Sequence, residues 1–263
     1  MYVGQFFPIN QQGMVGNPTR LELVPRPVSD LVPDLVRYYQ SLFGESLVSV
    51  CLRGSAARGQ WVADVSDLDT VAIVRSDEQI RWQEINGNLF PLSPIHQFPN
   101  SPIPSPPAEA SAKEGLPFPV EYIRTDWFPN KAYVHPRVAM VLKTQALPVW
   151  GEDIREALPP VPLSLDLVLE RRWVESDWSA FRQKPTPANQ QQLIKTLLRG
   201  RGGSLLVGEG RYSPDLDLCA AAIKRDKPAL AAAVDRVVSA FLRKQEPNPK
   251  TTEALRAIYQ LPA

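Results

Sequence analysis

The spacing of apolar residues in the first part of the chain predicts a small sheet with helices. Residues 28–44 carry apolar side chains at the intervals of a helix, and Gly44 stands where that helix would end. The stretch LVSVCLRG (47–54) predicts a strand, and DTVAIVR (69–75), apolar on both faces, predicts a central strand covered on both sides. PVEYIRTDWF, from Pro119, predicts a third strand, and HPRVAMVLKTQALPVWG, from His135, predicts a helix that runs into a short apolar segment. The predicted order is helix, strand, strand, loop, strand, helix.

The second part of the chain has helical spacing throughout. DLVLERRWVESDWSAFRQ (166–183) places Leu167, Val174, Trp178 and Phe181 on one stripe, a pattern typical of a helix packed on a core. Further helices are predicted within residues 189–200, 214–225, 228–245 and 251–260. The prolines of LPPVP (158–162) mark the change of pattern. We therefore predict an α/β (α+β) domain with a small mixed sheet over residues 1–158, followed by an α-helical bundle domain over 159–263.

Composition narrows the class of protein. The chain has 263 residues, enough for two domains with cores of their own, and its 29 basic and 28 acidic residues nearly cancel, so nucleic acid is not indicated by charge. No apolar run is long enough to span a bilayer and the first residues lack a signal-peptide pattern, which predicts a cytoplasmic protein. Prolines cluster at 91–119, where no helical or strand period exists, and this segment is expected to be a flexible insertion. Cys51 and Cys219 have no neighbours at zinc-site spacing, and both are expected to be buried hydrophobes.

The candidate chemistry lies between the first two predicted strands. Asp67 and Asp69 are two residues apart at the start of a strand, so both carboxylates would point to one face, where they could share divalent cations and bind a phosphate-bearing ligand. The preceding Gly54-Ser55 turn could cradle phosphate oxygens, and Arg58 is close enough in sequence to add charge. Glu121, between apolar residues of the third predicted strand, is the candidate third carboxylate. The alternative is a solvated turn in which Ser66 caps a helix.

These residues carry a resemblance to a known superfamily. Gly54-Ser55, Arg58-Gly59 and Ser66-Asp67-Leu68-Asp69, followed by Thr70-Val71-Ala72-Ile73-Val74, resemble the signature of the DNA polymerase beta-like nucleotidyltransferases. Within that superfamily the chain is most similar to aminoglycoside adenylyltransferases of the streptomycin/spectinomycin type. Glu121 stands where that family has its third carboxylate. Thr196-Leu197-Leu198-Arg199 and Gly210-Arg211-Tyr212-Ser213-Pro214 resemble its segments whose basic residues approach the nucleotide phosphates.

The resemblance implies an enzyme that transfers a nucleoside monophosphate, most simply AMP from ATP, to an acceptor hydroxyl with release of pyrophosphate. Asp67, Asp69 and Glu121 would hold Mg²⁺, with Glu121 either completing the metal shell or acting as the base. Gly54, Ser55, Arg58, Arg199 and Arg211 would bind the nucleotide, although the last two are equally well explained as surface charges.

The acceptor stays open at this point. A polycationic aminoglycoside would need a cluster of carboxylates, and the helical part offers Glu170, Glu175, Asp177, Asp215 and Asp217. The alternative acceptors are a protein, as for nucleotidyltransferases of toxin-antitoxin pairs, and an RNA end. The alternative function is that of a nucleotide-binding regulatory protein without turnover. The glycine-rich stretch RGRGGSLLVGEG (199–210) is not a dinucleotide site, because it lacks the G-x-G-x-x-G spacing and follows a helix.

Overall fold

The computed structural model describes residues 4–61, 68–75, 122–124, 136–168 and 171–260. The chain divides into two compact units, one formed by residues 16–161 and the other by residues 1–15 with 162–263. The domain boundary at residue 158 stays a prediction. Two of the predicted site residues, Asp67 and Glu121, and the proline-rich segment 91–119 lie outside the described residues.

The unit of residues 16–161 is built on a mixed sheet, in agreement with the predicted fold class. Its strands are β1 (Leu47–Leu52), β2 (Thr70–Val74), β3 (Tyr122–Arg124) and β4 (Leu147–Gly151). They are arranged in the order β3-β2-β1-β4, in which β1 pairs antiparallel with β2 and β4, and β3 pairs parallel with β2. The short apolar segment predicted after the last helix of this part is thus the edge strand β4.

Helices cover both faces of β1 and β2, so every residue of both strands is buried. Helix α1 (Val32–Phe43) packs on the face formed by Val50, Leu52, Ala72 and Val74. On the opposite face, Val48, Cys51, Val71 and Ile73 contact Leu142 of helix α2 (Pro136–Gln145) and the following residues Ala146 and Leu158. The prediction of a central strand covered on both sides is confirmed for β2, whose five residues are all buried.

Helix α1 begins later than its sequence pattern indicated. A separate helical turn, Arg26–Ser29, precedes it, and α1 itself runs from Val32 to Phe43. It ends as predicted at Gly44, whose φ of 51° favours glycine. Leu31, one of the apolar residues at helical spacing within 28–44, lies before the helix and is exposed, while Val36 and Phe43 complete the buried face.

The other unit is helical. Its helices are α3 (Arg171–Gln183), α4 (Pro187–Gly208), α5 (Leu216–Asp226), α6 (Ala231–Leu242) and α7 (Pro249–Tyr259). Short 3-10 helices in this unit are Leu165–Leu167 and Pro228–Leu230. Those in the other unit are Leu21–Leu23, Gly44–Ser46 and Ile154–Ala157. Thr186 and Asn248 cap α4 and α7 by accepting a backbone N–H, and a proline follows each cap. Leu167 is buried but lies in a 3-10 turn, not on the predicted helix.

The glycine-rich stretch 199–210 lies mostly within α4. Helix α4 continues through Gly200, Gly202 and Gly203 to Gly208, although the sequence pattern predicted its end at Gly200. A Cβ on Gly202 would come within 3.0 Å of the backbone of Cys219 in α5. Gly202 therefore allows α4 and α5 to approach closely, and the position of this stretch within a helix agrees with the interpretation that it is not a dinucleotide site.

The first residues of the chain belong to the helical unit. Backbone N–H groups of Gly4 and Gln5 donate to the carboxylates of Asp217 and Asp215, at 2.6 Å and 2.9 Å. The hydroxyl of Ser213 donates to the Gln5 carbonyl, and Phe7 pairs with Tyr212 through a backbone hydrogen bond and an edge-to-face ring contact. None of the described helices is long and apolar enough to cross a bilayer.

Candidate active site

The antiparallel pairing of β1 and β2 brings the Gly-Ser turn to the start of β2. Leu52 is paired with Thr70, and the next residue along, Arg53, donates its backbone N–H to the carbonyl of Asp69 at 2.9 Å. Asp69 therefore lies one residue before the strand and directly across from the end of β1. Residues 53–55 and Asp69 are thus fixed next to each other by the strand pairing, although they are separated in sequence.

Gly54 is the point of closest approach. It has a φ of 69°, a conformation that L-residues with a side chain rarely adopt, and it begins a helical turn, Gly54–Ala57. A Cβ at this position would come within 3.0 Å of Asp69 Oδ2 and to 3.3 Å of its Cγ. The carboxylate of Asp69 thus packs directly against the backbone of the Gly-Ser turn, in space that any other residue would fill.

Arg53 gives Asp69 a positive neighbour. Its guanidinium Nη2 lies 3.8 Å from Asp69 Oδ1, and the two side chains are 27% and 42% exposed, respectively. Sequence reasoning missed this residue. Its signal was a charged residue directly between a buried apolar strand and the Gly-Ser turn, where a charge is costly unless it is paired.

A buried hydrogen bond holds the start of β2 against helix α1. Tyr39 Oη and Thr70 Oγ1 are 2.8 Å apart, and both residues are almost completely buried. Thr70 directly follows Asp69, so this bond restrains the backbone that carries the carboxylate. A tyrosine and a threonine in apolar patterns gave no signal of the pairing in the sequence.

The remaining residues of the turn close a short loop. The Ser55 carbonyl accepts hydrogen bonds from the backbone N–H groups of Arg58 and Gln60, at 3.2 Å and 2.8 Å. The guanidinium of Arg58 donates to Gln60 Oε1 from both Nε and Nη2, at 3.4 Å, and the residue is only 5% exposed. These contacts give Arg58 a structural role in the loop, and its contact with a phosphate stays a prediction.

The described residues contain only part of the predicted metal site. Asp69 is the one predicted carboxylate among them, since Asp67 and Glu121 lie outside, and no group of three or more His, Cys, Asp or Glu side chains converges in the part of the chain that the structure describes. The face shared by Asp67 and Asp69 therefore stays a prediction. Asp69 itself precedes the strand instead of lying within it.

Arg199 and Arg211 belong to the helical unit. Arg199, in α4, donates from Nε to the Pro214 carbonyl at 2.9 Å, and the Arg211 guanidinium lies over the ring of Phe6, 5.1 Å from its centre. Both contacts stabilise the segment between α4 and α5 together with the first residues of the chain. Their predicted contact with nucleotide phosphates stays a prediction.

The carboxylates considered for a polycationic acceptor have different environments. Asp215 and Asp217 bind backbone N–H groups of the first residues, as described above, and Glu170 lies outside the described residues. Asp177, in α3, is buried and accepts a hydrogen bond from Gln192 Nε2 at 3.3 Å. Burial raises the pKa of the Asp177 carboxyl, and hydrogen bonds from Thr196 and Gln192 act in the opposite direction.

Comparison with known proteins adds a weak structural likeness. No protein-family model matches the chain, and the search of curated proteins found no match. Among solved structures, the chain is similar to the crystal structure of spectinomycin adenyltransferase AAD(9) from Enterococcus faecialis with ATP and spectinomycin. The identity is 16%, the match covers 88% of this chain and 96% of that chain, and the TM-score is 0.46. At this identity and TM-score the likeness does not establish a shared fold or activity.

Proposed function

We propose that the chain is a nucleotidyltransferase that transfers a nucleoside monophosphate, AMP from ATP, to an acceptor hydroxyl. The observation that supports this most is the packing of the Asp69 carboxylate against Gly54 at the end of the buried β1–β2 pair. The carboxylate can bind a divalent cation, and the backbone of the glycine-containing turn beside it can bind phosphate oxygens. A solvated turn of positive φ would favour glycine too, but it would not bring a carboxylate into the space of a side chain at residue 54.

The donor chemistry of the described residues fits Mg²⁺. Asp69 offers hard carboxylate oxygens, its side chain is 42% exposed, and no side chain at residue 54 stands in front of it. Asp67 and Glu121 would supply the other carboxylates. Bound Mg²⁺ would neutralise negative charge on the phosphates and on the leaving pyrophosphate.

In the proposed reaction the acceptor oxygen attacks the α-phosphorus of ATP. A new bond forms from that oxygen to phosphorus, the bond from phosphorus to the bridging oxygen breaks, and pyrophosphate leaves. Gly54 and Ser55 would position the β- and γ-phosphates, with Arg58 as a further phosphate ligand. Glu121 would take the proton of the acceptor hydroxyl or complete the metal shell. Positioning and charge neutralisation would supply most of the rate enhancement.

The test is transfer of label from α-labelled ATP in the presence of Mg²⁺, with a panel of aminoglycosides and with cell lysate. We expect label to move to an acceptor with the wild-type protein and not with Asp69→Asn, which keeps the shape of the side chain and removes its charge. Asp34→Asn is the matched control, because Asp34 is an exposed carboxylate of the same unit that pairs with Arg37 on α1.

The mass of the labelled product identifies the acceptor class. A small labelled product would support an aminoglycoside-like acceptor, and a labelled protein would support the AMPylating alternative. ATP bound with an Asp69-dependent affinity but never turned over would indicate a regulatory nucleotide-binding protein. If ATP neither binds nor reacts, and Asp69→Asn behaves like the wild type, the proposed function is wrong.

A further inference from the structure

We propose that Arg53 is a phosphate-binding residue of this site, which pairs with Asp69 in the absence of ligand and exchanges that carboxylate for a nucleotide phosphate when a divalent cation binds. The proposal rests on the proposed function and adds a residue that none of the sequence motifs identified. It also predicts that Arg53 weakens the binding of a cation alone and strengthens the binding of a nucleotide.

The geometry fixes Arg53 to Asp69 at two points. The backbone N–H of Arg53 donates to the Asp69 carbonyl at 2.9 Å, and the guanidinium Nη2 lies 3.8 Å from Asp69 Oδ1. The next residue is Gly54, against which the same carboxylate packs. A guanidinium anchored beside both the carboxylate and the Gly-Ser turn is therefore within reach of any phosphate that the turn would hold.

The side chain of Arg53 is placed differently from that of Arg58, the arginine that sequence reasoning selected. Arg58 is 5% exposed and donates to Gln60 within its own loop, whereas the Arg53 side chain is 27% exposed and its guanidinium faces the carboxylate. Arginine is always charged and its planar fork of N–H groups matches phosphate oxygens, so it can change partners without changing its protonation state.

The charges predict two effects of opposite sign. A cation that binds Asp69 must compete with the Arg53 guanidinium and is repelled by it, so removing Arg53 should strengthen the binding of the cation alone. A bound cation neutralises Asp69 and leaves the guanidinium to a phosphate, so removing Arg53 should weaken nucleotide binding. A purely structural role for Arg53 would weaken both.

The experiment measures the two affinities separately in Arg53→Met, which removes the charge and keeps a long apolar stem. The probes are Mn²⁺ alone, followed by electron paramagnetic resonance, and α,β-methylene-ATP at a fixed Mg²⁺ concentration, followed by calorimetry. We expect the Kd for Mn²⁺ to fall about 2- to 5-fold, as for a partly exposed ion pair. The Kd for the nucleotide should rise about 10-fold or more, as for a lost charge-assisted hydrogen bond.

Two further variants keep the test interpretable. Arg53→Lys retains the charge and should keep the Mn²⁺ affinity near the wild-type value. It should weaken the binding of the nucleotide less than Arg53→Met does. Arg75→Met is the matched control, since Arg75 forms an ion pair of similar length with Glu152, at 3.9 Å, after the other end of β2. It should leave both affinities unchanged.

The outcomes separate this proposal from the proposed function. If the wild type binds both probes and Asp69→Asn loses them, but Arg53→Met leaves both affinities unchanged or moves them in the same direction, Arg53 is structural and only the proposal on Arg53 is overturned. If the wild type binds neither probe, or Asp69→Asn binds both as well as the wild type does, the proposed function itself fails, and the proposal on Arg53 fails with it.

Discussion

Gly54→Ala is the substitution that most directly tests the proposed site. It adds one methyl group at a residue whose φ of 69° favours glycine and whose missing side chain leaves room for the Asp69 carboxylate. Gly44→Ala is the matched control. Gly44 also has a positive φ, of 51°, it lies in the same unit, and a Cβ there would meet no atom within 4 Å.

The structure separates the effect on stability from the effect on the site. A residue with a side chain in the left-handed region costs about 1–2 kcal/mol, and strained backbone in general costs about 1–3 kcal/mol, so both variants should lose stability of this order. The clash at Gly54 adds little to this cost, because the Asp69 side chain is 42% exposed and can rotate away. To do so, Asp69 Oδ2 must move from within 3.0 Å of the new Cβ to the ordinary contact range of 3.4–4 Å from it. Displacing a catalytic group by about 1 Å can lower a rate about 100-fold.

We therefore expect Gly54→Ala to lose roughly 100-fold in Mg²⁺-dependent transfer of label from ATP, and Gly44→Ala to retain it. Urea unfolding at the assay temperature gives the stability of each variant, and transfer is measured where both are folded. Equal losses of activity in the two variants would mean that the loss in Gly54→Ala does not come from the contact with the Asp69 carboxylate. Wild-type activity in Gly54→Ala would refute the reasoning that the carboxylate must lie against residue 54.

Three further predictions concern stability and reactivity. Tyr39→Phe and Thr70→Val should each destabilise the protein by about 1–3 kcal/mol in urea unfolding, because each removes one partner of this buried hydrogen bond. The double variant should cost clearly less than the sum of the two, and additive losses would show that the bond contributes nothing. Burial raises the pKa of Cys51 to about 11 and that of Cys219 to about 12, so neither thiol should react with a disulfide reagent at pH 8 until its own unit unfolds, which single-cysteine variants would report; fast reaction of the folded protein would contradict this. The folded-state pKa of Asp177 is raised, so its contribution to stability is full below the unfolded pKa of about 3.9 and is lost as pH rises through the folded value. Asp177→Asn should remove this part of the pH dependence of Tm above about pH 4. Identical profiles of Tm against pH for the variant and the wild type would show that Asp177 makes no such contribution.

The sequence predicted the helices and strands best where the local residue pattern decides the structure. The runs LVSVCL and TVAIV are apolar except at Ser49 and Thr70, and every one of their residues is buried because helices cover both faces of β1 and β2. Both strands were predicted within one or two residues. The end of α1 was predicted at Gly44 because a helix commonly ends at a glycine of positive φ. In these cases the residue pattern and the local conformation agree.

Sequence patterns were least informative where contacts between distant residues decide the structure. Helix α4 continues through three glycines that are poor helix formers, because the absence of a side chain at Gly202 lets α5 approach its backbone. Asp215 and Asp217 looked like candidates for binding a cationic acceptor, yet they bind backbone N–H groups about 210 residues away in sequence. Spacing along the chain carries no information about such partners.

The candidate site combines both situations, which explains why only part of it could be predicted. Asp69 and Gly54 were selected because an acidic residue and a glycine next to apolar strands are typical of a phosphate and metal site. Arg53 was not, because its role depends on the strand pairing that places its backbone opposite Asp69. The buried Tyr39–Thr70 bond holds the start of β2 against helix α1, so the partly exposed Asp69 carboxylate directly precedes a restrained, buried strand. A site built in this way gains a precise position from the core and keeps its charged groups accessible, as binding and catalysis by positioned charges require.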